Sequence, residues 1–403
     1  MNHTLQPPPR PLPLWLDCDT GHDDAFAILL AARSPDVRLL GISTVYGNAP
    51  LANTTYNTRG ILRAIGRDDI PVYPGAAKPL RREPAHAPDI HGASGLDGTA
   101  LLPEPTVPAQ TADAVQAMHD ALINEPTGSA WLVAVGSLTN VAMLFEQHPG
   151  LISHIAGLSI MGGAIGGGFS DAPMGTIAGS GDRFGNHTPF AEFNIYCEPE
   201  AAKSILAHPT LSLKTTLIPL DLTHQFLATQ SVRTRLTSGA AIANELERTP
   251  TGASVVRLLF CQIMSFFEKT YAEVFGFTTG PPMHDPLAVA ATFRPELFRC
   301  IPAMGESSSA SDEPEYFAVD VVTEGAHGAS DYIRGSPSQC GRTVARKLPP
   351  GQRGVTIPRA LDDQNLWTLI GDALSRAEHA VNDAPWSKQM GARLQHSGER
   401  PDG

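Results

Sequence analysis

Leu14-Trp15-Leu16-Asp17-Cys18-Asp19-Thr20-Gly21-His22-Asp23-Asp24-Ala25 is the stretch on which the fold turns. Three apolar residues run into a turn with four carboxylates in eight positions. A helical face follows, with Ala25, Ile28, Leu29 and Ala32 at i, i+3, i+4 and i+7. This predicts a buried strand, an acidic loop and a helix. The unit recurs at 39–46 followed by 52–65 and at 131–135 followed by 140–147, and 158–161 leads into a glycine-rich stretch. Residues 155–161 and 215–220 are further short strand candidates. Strands alternating with helices imply an α/β fold: an open, mostly parallel, doubly wound, Rossmann-like sheet with helices on both faces. Loops after the strand C-termini of such a sheet meet in one crevice, where ligands bind.

Clustered carboxylates without Lys or Arg nearby repel one another, and a bound cation or a shared proton must compensate. Oxygen-only donors suit Ca²⁺ or Mg²⁺. A plain helix N-terminus would account for Asp23 and Asp24, but not for Asp17 and Asp19. A calcium-loop helix hairpin needs Glu at its twelfth position, and counting from Asp17 that position is Ile28. An aspartyl-nucleophile phosphatase would begin Asp-x-Asp-x-Thr; here Thr20 comes one place early and Gly21 is fifth.

The whole chain narrows the options further. Its 403 residues allow a large buried core, and 29 Lys plus Arg against 41 Asp plus Glu give a net charge of −12. That balance argues against nucleic acid or an acidic membrane as partner, and no apolar run approaches the ~20 residues of a membrane span. Cys18, Cys197, Cys261, Cys300 and Cys340 are odd in number and widely spaced, which suggests reduced thiols and a cytoplasmic location. Residues 1–13, with five prolines, read as a disordered tail. Residues 14–382 read as a single domain with insertions near 166–185, 305–315 and 325–354, and 383–403 as a frayed polar tail. Helices are expected over 254–271, 286–292 and 361–380, and a strand over 317–322.

The acidic turn resembles the N-terminal fingerprint Asp-x-Asp-x-Gly-x-Asp-Asp of the inosine-uridine-type nucleoside hydrolases. Thr44-Val45-Tyr46-Gly47-Asn48, Ile90-His91-Gly92, Val135-Gly136-Ser137-Leu138-Thr139-Asn140, Met161-Gly162-Gly163-Ala164, Ala191-Glu192-Phe193-Asn194 and His284-Asp285-Pro286-Leu287-Ala288 are also similar to motifs of that family, in its order. Thr20 stands where proline is frequent, and Ser137 where Pro or Gly is common.

The resemblance implies hydrolysis of the N-glycosidic bond of a ribonucleoside to free base and ribose, with Ca²⁺ as cofactor. The partner is a small nucleoside, and the assembly a homodimer or homotetramer. Asp19 would be general base and metal ligand, with Asp24, Asp285 and the Val135 carbonyl as further ligands. Asp23, Asn48, Asn186, Glu192 and Asn194 would grip the ribose hydroxyls, with Met161 against the sugar. Glu192 and Asn194, two apart, would point the same way from an extended segment. His91 and His284 are candidates for donating to the leaving base, Tyr271, Phe275 and Phe277 for stacking on it, and Thr223-His224-Gln225 for a rim. A Mg²⁺-dependent phosphatase or a non-catalytic nucleoside or calcium binder are the alternatives.

Overall fold

The computed structural model of the chain describes residues 10–174, 184–239, 253–300, 314–328 and 338–397. Its strands are β1 (Leu12–Cys18), β2 (Val37–Thr44), β3 (Val72–Pro74), β4 (Trp131–Ala134), β5 (Gly157–Met161), β6 (Thr215–Ile218), β7 (Phe298–Arg299), β8 (Tyr316–Val321), β9 (Thr343–Lys347), β10 (Val355–Thr356) and β11 (Ala360–Leu361). Nine form one sheet in the order β3-β2-β1-β4-β5-β6-β10-β8-β9, and β7 pairs with β11 apart from it. The run from β3 to β10 is parallel; β8 and β9 are antiparallel additions. Strand order reverses between β1 and β4, so the crevice of this α/β fold opens above those two strands.

β1 shows why the sequence builds this core. Leu14, Leu16 and Cys18 pack on one face and Trp15 on the other, the alternation a strand requires. Both faces are covered, so the strand is buried almost throughout. Helices His22–Arg33, Val255–Phe275, Asp285–Phe293 and Asp363–Val381 supply the first layer. Ala114–Ile123, Thr139–Gln147 and Pro199–Leu206 supply the second. Within the first, Phe26 meets Phe260 edge-on at 4.9 Å, and each such buried side chain contributes about 2 kcal/mol by burial.

Several expectations need correction. Order begins before Leu14, because Leu12 donates its main-chain N–H to the Asp36 carbonyl at 2.7 Å and Pro13 lies in register opposite Arg38. Within 325–354, expected as an insertion, lies a strand: β9 pairs with β8, and its charged, half-exposed pattern is that of an edge strand. The polar tail holds a helix, Pro385–Ser397. Trp386, Met390 and Leu394, spaced by four, place one stripe of it on the core. The strand expected over 215–220 ends at Ile218, and Leu220–Thr223 is helical. Residues 175–183, 301–313 and 329–337, within or beside the expected insertions, lie outside the described residues, as do residues 1–9 of the N-terminal tail. Among the described residues no helix is long and apolar enough to cross a membrane.

Candidate active site

The acidic turn follows β1 directly, and the helix it opens gathers its own carboxylate. Asp24 accepts from the main-chain N–H groups of Asp19 at 3.1 Å and Gly21 at 2.8 Å. Asn48, just beyond β2, donates its side-chain amide to the same carboxylate at 3.1 Å and its main-chain N–H to Asp19 Oδ2 at 2.8 Å. Two glycines make this packing possible. A Cβ on Gly47 would fall 2.0 Å from Asp19 Oδ2, and one on Gly21 2.4 Å from His91 Nδ1.

Asp285 arrives from far along the chain as the first residue of helix Asp285–Phe293, so it enters from a helix N-terminus and not from a strand end. Carboxylate oxygens of Asp23, Asp24 and Asp285 lie within 4.8 Å of one another, all buried. Asp19 lies against this trio with Oδ1 buried and receiving no hydrogen bond. Burial first, then the neighbouring carboxylates, push the Asp19 and Asp285 carboxyls well above the usual range. The same causes raise Asp23 to about 8, against main-chain hydrogen bonds from Asp285 and His284. None of these four enters an ion pair among the described residues. Four buried carboxylates with a bare oxygen and no cationic side chain fit a hard divalent cation.

Asp17 belongs elsewhere. Ser43 donates its hydroxyl to Asp17 Oδ1, Asn140 donates its amide there at 2.8 Å, and Trp15 Nε1 donates to Ser43 Oγ at 3.0 Å. Asp17 thus ties β1 to β2 and to the helix after β4. Burial raises its carboxyl to about 7 in spite of those bonds.

Beside the trio opens a cavity of about 220 Å³, whose polar lining includes Asp23, Asn48, Asn186, Glu192, Asn194 and Asp285, with Val135 and Met161. Glu192 and Asn194 meet there, but not from an extended segment. Glu192 caps the short helix Phe193–Cys197, accepting from the N–H groups of Asn194 at 2.8 Å and Ile195 at 3.0 Å, and from Gly163 at 2.9 Å. Asn194 donates its amide to the Val135 carbonyl at 2.9 Å and lies 3.4 Å from Met161 Sδ. Asn186 Oδ1 accepts from the Phe193 N–H at 2.9 Å. Val135 O, a proposed metal ligand, already takes the Asn194 hydrogen and has a second lone pair to spare.

His91, His284, Phe267, Tyr271, Val274 and Phe275 complete the apolar and imidazole part of the lining. Both ring nitrogens of His284 are engaged, Nδ1 with the Thr223 hydroxyl at 2.7 Å and Nε2 with the Tyr271 hydroxyl at 2.7 Å. Burial holds both imidazoles well below their usual range, so the histidines are neutral here. Of the expected aromatics, Tyr271 and Phe275 reach the cavity, while Phe277 packs behind Tyr271. Thr223 and His224 are buried and form no rim: His224 donates Nδ1–H to the Pro173 carbonyl at 2.6 Å. Gln225 turns away to the Asp221 and Arg359 carbonyls. Sequence reasoning missed Phe267, one of many apolar residues in an amphipathic helix, and His22 behind His91.

A doubly wound sheet that brings buried acidic oxygens and side-chain amides to a cavity at its switch point suits a cation together with a small polar molecule. The profile of the inosine-uridine preferring nucleoside hydrolases matches residues 14–368, and the chain belongs to that family. A uridine nucleosidase of Saccharomyces cerevisiae is 38% identical over 373 residues, 91% of this chain and 97% of its own length. A pyrimidine-specific ribonucleoside hydrolase of Citrobacter koseri is 38% identical over 291 residues, 72% of this chain and 82% of its own. In fold, the chain is similar to a purine-preferring ribonucleoside hydrolase from Gardnerella vaginalis, with a TM-score of 0.70 at 23% identity over 91% of this chain and 99% of that one. The activity is hydrolysis of ribonucleosides at the N-glycosyl bond, which sets aside the phosphatase and the non-catalytic alternatives.

Proposed function

We propose that this enzyme hydrolyses pyrimidine ribonucleosides, uridine foremost, with Ca²⁺ as its cofactor. The single observation that carries the substrate is the 38% identity with a uridine nucleosidase across nearly the full length of both chains. Asp19, Asp24 and Asp285 would hold the cation, the Val135 carbonyl contributes its free lone pair, and Asp23, clustered with Asp24 and Asp285, faces the cavity beside them. When bound, a divalent cation supplies orientation and a lowered pKa for the attacking water.

The remaining steps belong to the chain. Asp19 Oδ1, which receives no hydrogen bond, accepts the proton of that water. Asn48, Asn186, Glu192, Asn194 and Asp23 hold the ribose hydroxyls, with Met161 against the sugar face. Their carboxylates favour the positive charge that develops on the ring as the bond breaks. The base lies among His91, Phe267, Tyr271 and His284. Its departing charge is met by the Tyr271 hydroxyl, backed by His284 and Thr223, a chain of exchangeable protons. His284 acts as a neutral donor, because burial opposes its cation.

The odd number and wide spacing of the cysteines agree with a reducing, cytoplasmic setting. A homodimer or homotetramer, implied by family resemblance, is read directly by light scattering on the eluting protein. The deciding assay measures ribose release from uridine, cytidine, inosine and adenosine with Ca²⁺ present. The reading expects uridine to lead by at least tenfold over the purines, and an equal or greater kcat/KM on inosine would overturn it.

A further inference from the structure

His22 sits in the acidic turn, fully buried behind His91, with its ring parallel to Phe266 at 5.2 Å and Phe267 at 5.4 Å. Its Nε2 lies 2.9 Å from the main-chain carbonyl oxygen of Asp97. A carbonyl oxygen only accepts, so His22 Nε2 carries a hydrogen. A neutral imidazole protonated there has a bare Nδ1. His22 Nδ1 lies 3.1 Å from His91 Nδ1. Two bare nitrogens at that distance would repel, so His91 Nδ1 holds the hydrogen and donates it to His22.

The opposite arrangement leaves His91 Nδ1 bare to accept from the His22 main-chain N–H, a longer contact of 3.4 Å. It requires a doubly protonated His22 ring. That ring is buried against two phenyl rings and has no carboxylate oxygen within hydrogen-bonding distance among the described residues. A cation is disfavoured in such surroundings. With Nδ1–H committed to His22, neutral His91 has a bare Nε2. His91 lines the cavity, and this nitrogen makes no hydrogen bond to a described residue.

We infer that His22 is a positioning residue for base specificity: it fixes the tautomer of His91 so that the base end of the cavity offers a hydrogen-bond acceptor. The ligand group this suits is a ring N–H such as N3–H of uracil. The bare N3 of cytosine faces it lone pair to lone pair. The chain Asp97 carbonyl, His22, His91 thus turns a main-chain oxygen into a test of the base, while Gly21 leaves the space for the two rings to meet. The specificity rests on reading the cavity as a pyrimidine nucleoside site; the tautomer does not.

The two parts are tested separately. The full-length enzyme, with ¹⁵N-labelled histidine and Ca²⁺, gives the tautomer of each ring in long-range ¹H–¹⁵N correlation spectra, assigned with His91→Gln and His22→Phe. The expected result is Nδ1–H on His91 and Nε2–H on His22. Nε2–H on His91, or a doubly protonated His22, overturns the proposal without reference to turnover. In turnover, His22→Phe removes the acceptor, whereas His22→Asn places an amide oxygen near the lost Nδ1. The ratio of kcat/KM for uridine over cytidine should fall roughly tenfold in the Phe variant and stay within about twofold in the Asn variant. A ratio unmoved by His22→Phe refutes the specificity role. Loss of all pyrimidine turnover in the wild type defeats the substrate reading instead, and leaves the tautomer to its own spectrum.

Discussion

The two ends of the sheet treat buried carboxylates in opposite ways. At the antiparallel end Glu315, just ahead of β8, is matched twice, by Lys347 on β9 and by Arg359 at 2.8 Å. Arg359 also lies 4.2 Å from the Phe169 ring centroid and donates to the Phe169 carbonyl at 2.6 Å. At the parallel end Asp19, Asp23, Asp24 and Asp285 are equally buried and have one another for company. Burying a charge is costly unless something compensates it. The first end is complete as folded, and the second is complete only with a cation. The difference separates a carboxylate that holds the structure together from one kept ready for chemistry.

The hardest blow to that comparison is Asp19→Asn. The amide keeps an acceptor for the Asn48 N–H but cannot take a proton from water. Hydrolysis should drop by about 10³ in kcat, read as ribose release under saturating uridine. Without metal, the melting temperature should hold or rise, since one member of a mutually repelling buried cluster is gone. A fall in both together would mean that Asp19 serves the fold, as Glu315 does.

Metal removal is next in size. A ligand that binds only the folded state stabilises it by about 2.7 kcal/mol at a hundred times its dissociation constant, so chelation should lower the melting temperature and abolish turnover. The pH dependence has a definite sign. Burial holds Asp23 at about 8 and Asp17 at about 7, above the range near 4 of an unfolded chain. The metal-free folded state therefore binds protons that the unfolded state has released. The stability this gives is present at low pH and is lost as pH rises through about 7 to 8. Ca²⁺ competes with those protons at Asp23 but not at Asp17, which lies outside the cluster. The gain in melting temperature on adding Ca²⁺ should widen from pH 5 to pH 8, and a gain that shrinks would break the assignment.

The matched end is tested by Glu315→Gln, which leaves Arg359 without its charge partner. A loss of roughly 2–3 kcal/mol is expected in urea titration, with kcat on uridine unchanged within twofold.

How much of this could be read beforehand follows the same division. β1, β2, β4 and β5 were legible because parallel strands covered on both faces are nearly continuous apolar runs. The acidic turn was legible because its chemistry is crowded into eight residues. Edge strand β9 was hidden by Arg346 and Lys347, charges that suit an edge. Helix Pro385–Ser397 was hidden by polar residues around a single stripe of Trp386, Met390 and Leu394. Glu192 and Asn194 come from the family resemblance, but the extended segment expected to point them the same way is not adopted there. They meet because Glu192 caps the helix on which Asn194 sits. His22 escaped notice because its partner lies 69 residues away, and no local pattern marks a contact made by tertiary packing.

The smallest effect sharpens the comparison from outside. Asp320 on β8 also faces a cation, Lys203, at 3.0 Å, but their side chains are 61% and 41% exposed. Water already solvates both charges, so pairing adds little. Asp320→Asn should cost less than about 0.5 kcal/mol in the titration that registers Glu315→Gln, though each removes one carboxylate from an ion pair at the same end of the sheet. Equal losses would mean that pairing alone sets the energy of these groups. The expected inequality makes burial the deciding variable, and the four carboxylates beneath the cavity combine burial with the lack of a cationic partner and with crowding on one another.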